Sequence, residues 1–165
     1  MQTPKRKPSE YALIPPDFNI TQEKLDEFQD ELQHLISVSR PKTIDDMQAA
    51  AAHGDFSENH PYQSAKARLR GINDRITQLE KFIAKAIIIR PHNDGFVHLG
   101  SKVTVEVNNK IKEYTILGSQ EVNPDAGVIS HNSPLGSLLM NHAVGDVVIL
   151  DNGEKRVEYK IVMIS

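Results

Sequence analysis

The sequence predicts an α+β protein in which an N-terminal antiparallel two-helix coiled coil precedes a small domain built on an antiparallel sheet. Three observations carry this. Apolar residues recur at alternating steps of three and four through two long stretches, the signature of a helical seam. Between them lies His53-Gly54-Asp55-Phe56-Ser57-Glu58-Asn59-His60-Pro61, a short segment holding a helix-stopping glycine and a proline. Past Arg90-Pro91 the apolar period drops to two. The organisation expected is an extended tail over residues 1–20, a hairpin over 21–90 with its tip at 53–61, and a C-terminal domain over 91–165.

The tail is punctuated by Pro4, Pro8, Pro15 and Pro16, and no continuous apolar core follows Lys5-Arg6-Lys7, so it does not read as a secretory signal. Asn19 or Thr21 can cap the next element, with Glu23 and Asp26 early in it, where the helix dipole favours acids. The first helix presents Leu25, Phe28, Leu32 and Leu35. Arg40-Pro41 then interrupts it and predicts a kink or short break, because proline lacks a donor and crowds the preceding turn. The seam resumes at Ile44, Met47 and Ala51 and ends in the alanine run 49–52, small enough for close helix approach. Gly54 ends this helix. Pro61 lets the second begin no earlier than about Glu58. Tyr62, Ala65, Leu69, Ile72, Ile76, Leu79, Ile83 and Ala86 then give one unbroken seam. At 1.5 Å per residue, a rod of about 30 residues reaches roughly 45 Å.

In the C-terminal domain, 102–107 and 112–117 alternate around Asn108-Asn109, a hairpin-turn pair. Residues 128–130, 146–150 and 156–164 read as further strands. Ser133-Pro134 reads as the cap and first residue of a short helix through Met140.

Composition narrows the function classes. The 165 residues include no cysteine, which excludes disulfides, thiol catalysis and thiolate metal sites and suits a reducing cytoplasm. No apolar run has membrane-spanning length. Net charge is only -3, yet the charges separate: residues 21–60 hold three bases against nine acids, and 61–90 seven bases against two acids. One reading is an acidic helix attracting a basic one; the other is that the basic helix also passes near an RNA or DNA backbone.

The tip carboxylates Asp55 and Glu58 admit two readings. Their three-residue spacing is that of a helix cap and its reciprocal acid, although a cap at Asp55 would place Pro61 in the second turn. Alternatively, two acids at the end of a stalk share a Mg²⁺, an ion commonly held by one or two carboxylates plus waters and phosphates. A transition-metal set of His53, Asp55, Glu58 and His60 is a further, weaker possibility.

Gly54-Asp55-Phe56-Ser57-Glu58-Asn59, followed by Tyr62 and Ala65-Lys66, resembles the tip motif of the Gre-type bacterial transcription elongation factors. Ile129-Ser130-His131-Asn132-Ser133-Pro134-Leu135-Gly136, with Leu139 and Val144-Gly145-Asp146-Val147-Val148, resembles their C-terminal signature. The resemblance covers about residues 21–164. It implies that the C-terminal domain has an FKBP-like fold and grips bacterial RNA polymerase through Ser130, Ser133, Pro134 and Leu135, while the coil enters the secondary channel. It further implies that Asp55 and Glu58 act in trans, holding a Mg²⁺ of the polymerase's active centre so that water cleaves backtracked nascent RNA. Phe56, Ser57 and Asn59 are then tip contacts, and Lys66, Arg68 and Arg70 RNA-facing bases. On this reading the protein is a cytoplasmic monomer and not an enzyme by itself. A channel binder that blocks without cleaving, a free-standing metal hydrolase and a structural adaptor are the alternatives. His60-Pro61 and the lack of a base within 49–52 depart from the family pattern.

Overall fold

The computed structural model describes residues 16–52, 59–90, 92–151, 153 and 156–165. Strand β1 (Asn19–Ile20) leads into helix α1 (Gln22–His34), which starts where predicted: Thr21 has an extended backbone, and its hydroxyl accepts from the Lys24 amide at 3.3 Å. That bond satisfies one of the donors every helix start leaves open.

At Arg40-Pro41, where a kink or short break is expected, the helix runs on through a widened turn. A π-helical turn, Leu35–Ser39, joins α1 to α2 (Arg40–Ala51), and the Arg40 amide donates five residues back to the Leu35 carbonyl. Pro41 has no N–H to give, and its ring crowds the carbonyl four residues before it; the wider turn accommodates both without ending the helix. Nearby hydroxyls bond backbone carbonyls, Ser37 to Gln33 at 2.7 Å and Thr43 to Ser39 at 2.8 Å. The extra residue shifts the seam's phase. Thr43 is buried beside Ile44, while Val38 and Ile36 are left exposed.

Helix α3 (His60–Ile83) returns along α1 and α2. Ala65, Ile76 and Leu79 are buried, and the other predicted seam residues are half-buried. The core thickens at the hairpin's root, where Ile20, Phe28 and Leu79 are buried among Leu25, Leu32, Leu35, Phe82 and Ile88. The Phe28 and Phe82 rings meet edge-to-face at 5.5 Å. After α3, strand β2 (Ile87–Ile88) pairs in parallel with β1, so residues 17–20, read from the sequence as tail, are built into the root.

The C-terminal domain follows. Strands β3 (Lys102–Val107) and β4 (Lys110–Leu117) form the predicted hairpin, with Asn108 and Asn109 at φ 49° and 59°, the conformation a mirror-image turn requires. Strand β5 (Val128–Ser130), helix α4 (Pro134–Leu139), β6 (Val147–Asp151) and β7 (Arg156–Ile164) complete it. The strand order is β5-β4-β3-β7-β6. The sheet is antiparallel except that β5 lies parallel to β4, since the chain turns back through a capped 3₁₀ turn at Pro124–Ala126 before β5 begins. Val97, Val103, Val105, Ile116, Leu139, Val148 and Ile161 form its core.

Candidate functional site at the two ends of the hairpin

At the distal end, the predicted residues Asp55, Phe56, Ser57 and Glu58, with His53 and Gly54, lie outside the described residues. The structure gives the two roots from which that segment departs. One is the C-terminus of α2, ending at Ala52. The other is the N-terminus of α3, and its cap is Asn59: the Asn59 Oδ1 accepts from the Tyr62 amide at 3.0 Å. Asp55 and Glu58 are therefore not the capping pair of α3, and Pro61 sits harmlessly in its first turn. The Asn59 Nδ2 also donates to the Ala50 carbonyl across the hairpin at 2.7 Å. The last carbonyls of a helix lack intrahelical partners, so this amide serves one root with each end of its side chain.

The three predicted RNA-facing bases separate. Arg68 points toward the acidic helix, its Nη1 3.4 Å from Asp46 Oδ2. Lys66 and Arg70, four residues apart and hence on one face of α3, are exposed and have no carboxylate partner among the described residues. Farther along, Arg75 grips Glu31 with two bonds of 2.7 and 2.6 Å. The hydrogen bonds from Arg75 hold the Glu31 carboxyl below its usual range, and those to Glu31 raise the guanidinium further. The attraction of an acidic for a basic helix thus has two residue-level expressions among the described residues. Among the described residues no group of three or more histidines and acids is placed to hold a metal; of the set His53, Asp55, Glu58 and His60, only His60 is described.

The proximal end is a junction between hairpin and C-terminal domain. Asp17, its side chain only 4% exposed, accepts at Oδ1 from the Asn19 amide (3.0 Å) and Nδ2 (2.8 Å). Its Oδ2 accepts from the Ser119 amide (2.7 Å) and hydroxyl (2.9 Å), and His131 Nδ1 stands 3.6 Å away. Burial alone would push this carboxyl up; the hydrogen bonds from Asn19 and Ser119 outweigh it and hold it below its ordinary value. With the Ser119 proton given to Asp17, the Ser130 hydroxyl, 3.1 Å from Ser119 Oγ, is the donor of the next link. The Thr21 amide and hydroxyl both bond Glu121, at 2.9 and 2.5 Å. Gly118 closes the junction: a Cβ there would lie 1.8 Å from the Asn19 carbonyl oxygen.

Of the predicted polymerase-binding residues, three have their side chains engaged internally. Ser130 accepts from the Asn132 amide as well as reaching Ser119, Ser133 caps α4 through the Gly136 amide at 3.0 Å, and Leu135 packs on the core. Pro134 is the exposed member.

Two family descriptions match this architecture end to end. The N-terminal transcription elongation factor family of GreA and GreB matches residues 18–88, and their C-terminal family matches 91–165. The chain belongs to the Gre family of transcription elongation factors. Transcription elongation factor GreA of Thermomicrobium roseum is 36% identical over 135 residues, covering 80% of this chain and 86% of that one. GreA of Macrococcus caseolyticus is 38% identical over 156 residues, covering 90% and 97%. Among solved structures, GreA factor homolog 1 of Thermus thermophilus is 24% identical and covers 89% of this chain and 97% of that one, with a TM-score of 0.41.

In this Gre factor, sequence reasoning missed the junction. Asp17, Ser119 and Glu121 are single polar residues with no period to reveal them, and they meet across about a hundred residues of chain. The local signal available was Asp17-Phe18-Asn19, a spacing at which aspartate bonds its own backbone two residues on. Asn59 as the α3 cap was also missed, although an asparagine two residues before a helix-starting proline is a recognisable cap pattern.

Proposed function

We propose that this Gre factor binds bacterial RNA polymerase, passes its hairpin through the secondary channel, and stimulates the polymerase's own cleavage of backtracked RNA through Asp55 and Glu58. The observation that carries this reading is a self-contained two-helix rod, satisfied along its own seam, whose distal roots hold Asp55-Phe56-Ser57-Glu58 and whose proximal root is tied to a second domain. A rod some 45 Å long needs about 30 helical residues, which α1, the π turn and α2 together supply.

The donor set suits the ion. Carboxylate oxygens are hard ligands of the kind Mg²⁺ takes, and two of them are too few for a complete cage, so the remaining ligands belong to polymerase, RNA and water. When bound, Mg²⁺ supplies Lewis-acid stabilisation of the attacking and leaving oxygens. The chain's own contributions are positional and electrostatic. Asp55 and Glu58 would offer oxygens to the ion and orient the attacking water. Lys66 and Arg70, unpaired by the acidic helix, would attract RNA phosphates, with Phe56 and Ser57 meeting the channel wall or the RNA. The loop carrying Ser130, Ser133, Pro134 and Leu135 would fix the C-terminal domain to the polymerase surface, Pro134 making contact and the other three holding the loop's shape. The factor is then a monomeric helper without a complete active site. No helix among the described residues is long and apolar enough to cross a membrane.

The test is a stalled, backtracked elongation complex incubated with the protein and Mg²⁺. Short 3′ RNA fragments should appear and should vanish with Asp55→Ala or Glu58→Ala. Slowed elongation without fragments would overturn the cleavage reading in favour of a blocking factor, and RNA cleavage without polymerase would point to a hydrolase.

A further inference from the structure

We propose that Asp17 and Ser119 are positioning residues that fix the direction of the hairpin relative to the loop carrying Pro134, a role that rests on the polymerase-binding reading and goes beyond it.

Apolar burial stabilises without direction. The hairpin-root cluster around Ile20, Phe28 and Leu79 and the sheet core around Val105, Ile116 and Ile161 are separate, sharing no residue among those described. Hydrogen bonds do carry direction, and Asp17 divides its carboxylate between the two bodies. Oδ1 takes the amide and Nδ2 of Asn19, the residue that opens β1 and leads to the Thr21 cap of α1. Oδ2 takes the amide and hydroxyl of Ser119, just past the end of β4. A carboxylate is planar and rigid, so turning one set of donors about the other strains the bonds on both oxygens.

The path continues into the loop. Ser130 Oγ, 3.1 Å from Ser119 Oγ, also accepts the Asn132 amide, and the Ser130 carbonyl accepts the Ser133 amide at 2.9 Å. Helix α4 is seated on that same carbonyl, so closely that a Cβ at Gly136 would lie 2.1 Å from its oxygen. The exposed Pro134 thereby stands on an element two side-chain hydrogen bonds from Asp17. Leverage makes these bonds matter. A rod of about 30 helical residues spans about 45 Å, so a tilt of about 1.3° at the root displaces the far end of α2 by about 1 Å. A displacement of that size at a reacting centre costs on the order of 100-fold in rate.

The chain has no cysteine, so nitroxide labels at Lys42→Cys on α2 and Lys110→Cys on β4 report the direction of the rod in the free protein. With no further substitution, the distance distribution should be single and narrow. Ser119→Ala keeps the amide bond to Asp17 but loses the hydroxyl links to Asp17 and Ser130, and should broaden or shift the distribution. Asp17→Asn, which sets an amide NH₂ against other donors, should do so more strongly. Ser119→Thr returns a hydroxyl and should return the narrow distribution. In a backtracked complex at saturating factor, cleavage with unlabelled Ser119→Ala should fall about tenfold, while the half-saturating factor concentration and the thermal midpoint stay near those of the parent. Narrow, unmoved distributions in both variants, no recovery with Ser119→Thr, or a cleavage loss that merely follows weaker binding or a lowered midpoint would each overturn the proposal. If the parent itself releases no RNA fragments, the cleavage reading falls and the distance distributions alone decide the role of Asp17 and Ser119; if the parent cleaves and Ser119→Ala matches it, only the positioning role falls.

Discussion

The two ends of the hairpin are held by different physics. At the proximal end, Ile20, Phe28 and Leu79 exclude water, β1 and β2 pair, and Asp17, Thr21, Ser119 and Glu121 bond across the junction. At the distal end the seam thins to alanines, and an asparagine side chain bridges the roots. The root resists displacement because apolar burial and several hydrogen bonds must fail together. The distal end is thus the slender one, with the alanine run 49–52 at one root and Asn59 at the other.

The two largest expected blows to that contrast are Gly118→Ala and Leu79→Ala. A methyl 1.8 Å from the Asn19 carbonyl must push the hairpin root off the C-terminal domain. Overpacking of this kind costs about 3 kcal/mol, and chemical denaturation should show it as a lowered midpoint. Leu79→Ala, a large-to-small change at a residue 2% exposed, is expected to cost about 2–5 kcal/mol by the same measurement. Neither should alter the slender end directly.

A subtler break is chemical. The Asp17 carboxyl is held below its ordinary value of 3.8, so the folded state binds a proton there less readily than the unfolded chain. Its stabilisation is therefore full above about pH 4 and is lost as the pH falls through the lowered value. Following unfolding against pH in the parent and in Asp17→Asn should show an acid-dependent loss in the parent that the variant lacks. The smallest effect belongs to Arg75→Ala. Glu31 and Arg75 are each about 40% exposed, and an ion pair so wet is worth about 0.5–1 kcal/mol even with bidentate geometry; raising the salt concentration should shrink the difference.

The apolar pattern made much of this architecture legible. Periodic residues report packing locally, so the seam from Tyr62 to Ala86, the Asn108-Asn109 turn and the Ser133-Pro134 start of α4 could all be read directly. Pro41 was read as an obstacle to a regular helix, but the π turn that accommodates it was not foreseen, because the sequence pattern does not say how a helix absorbs a proline. The parallel placement of β5 depends likewise on tertiary contacts. The acids Asp55 and Glu58 stood out through their neighbours in the chain. The junction did not, since Asp17 and Ser119 gain their meaning only when the fold brings them within 2.7 Å.

The central claim is that the slender end reaches the reacting RNA. Because the chain has no cysteine, a photoactivatable cross-linker attached at Ser57→Cys reports its surroundings without background. In a backtracked elongation complex it should label the extruded 3′-terminal nucleotides of the RNA. Labelling confined to the outer surface of the polymerase, with the RNA 3′ end untouched, would contradict the account.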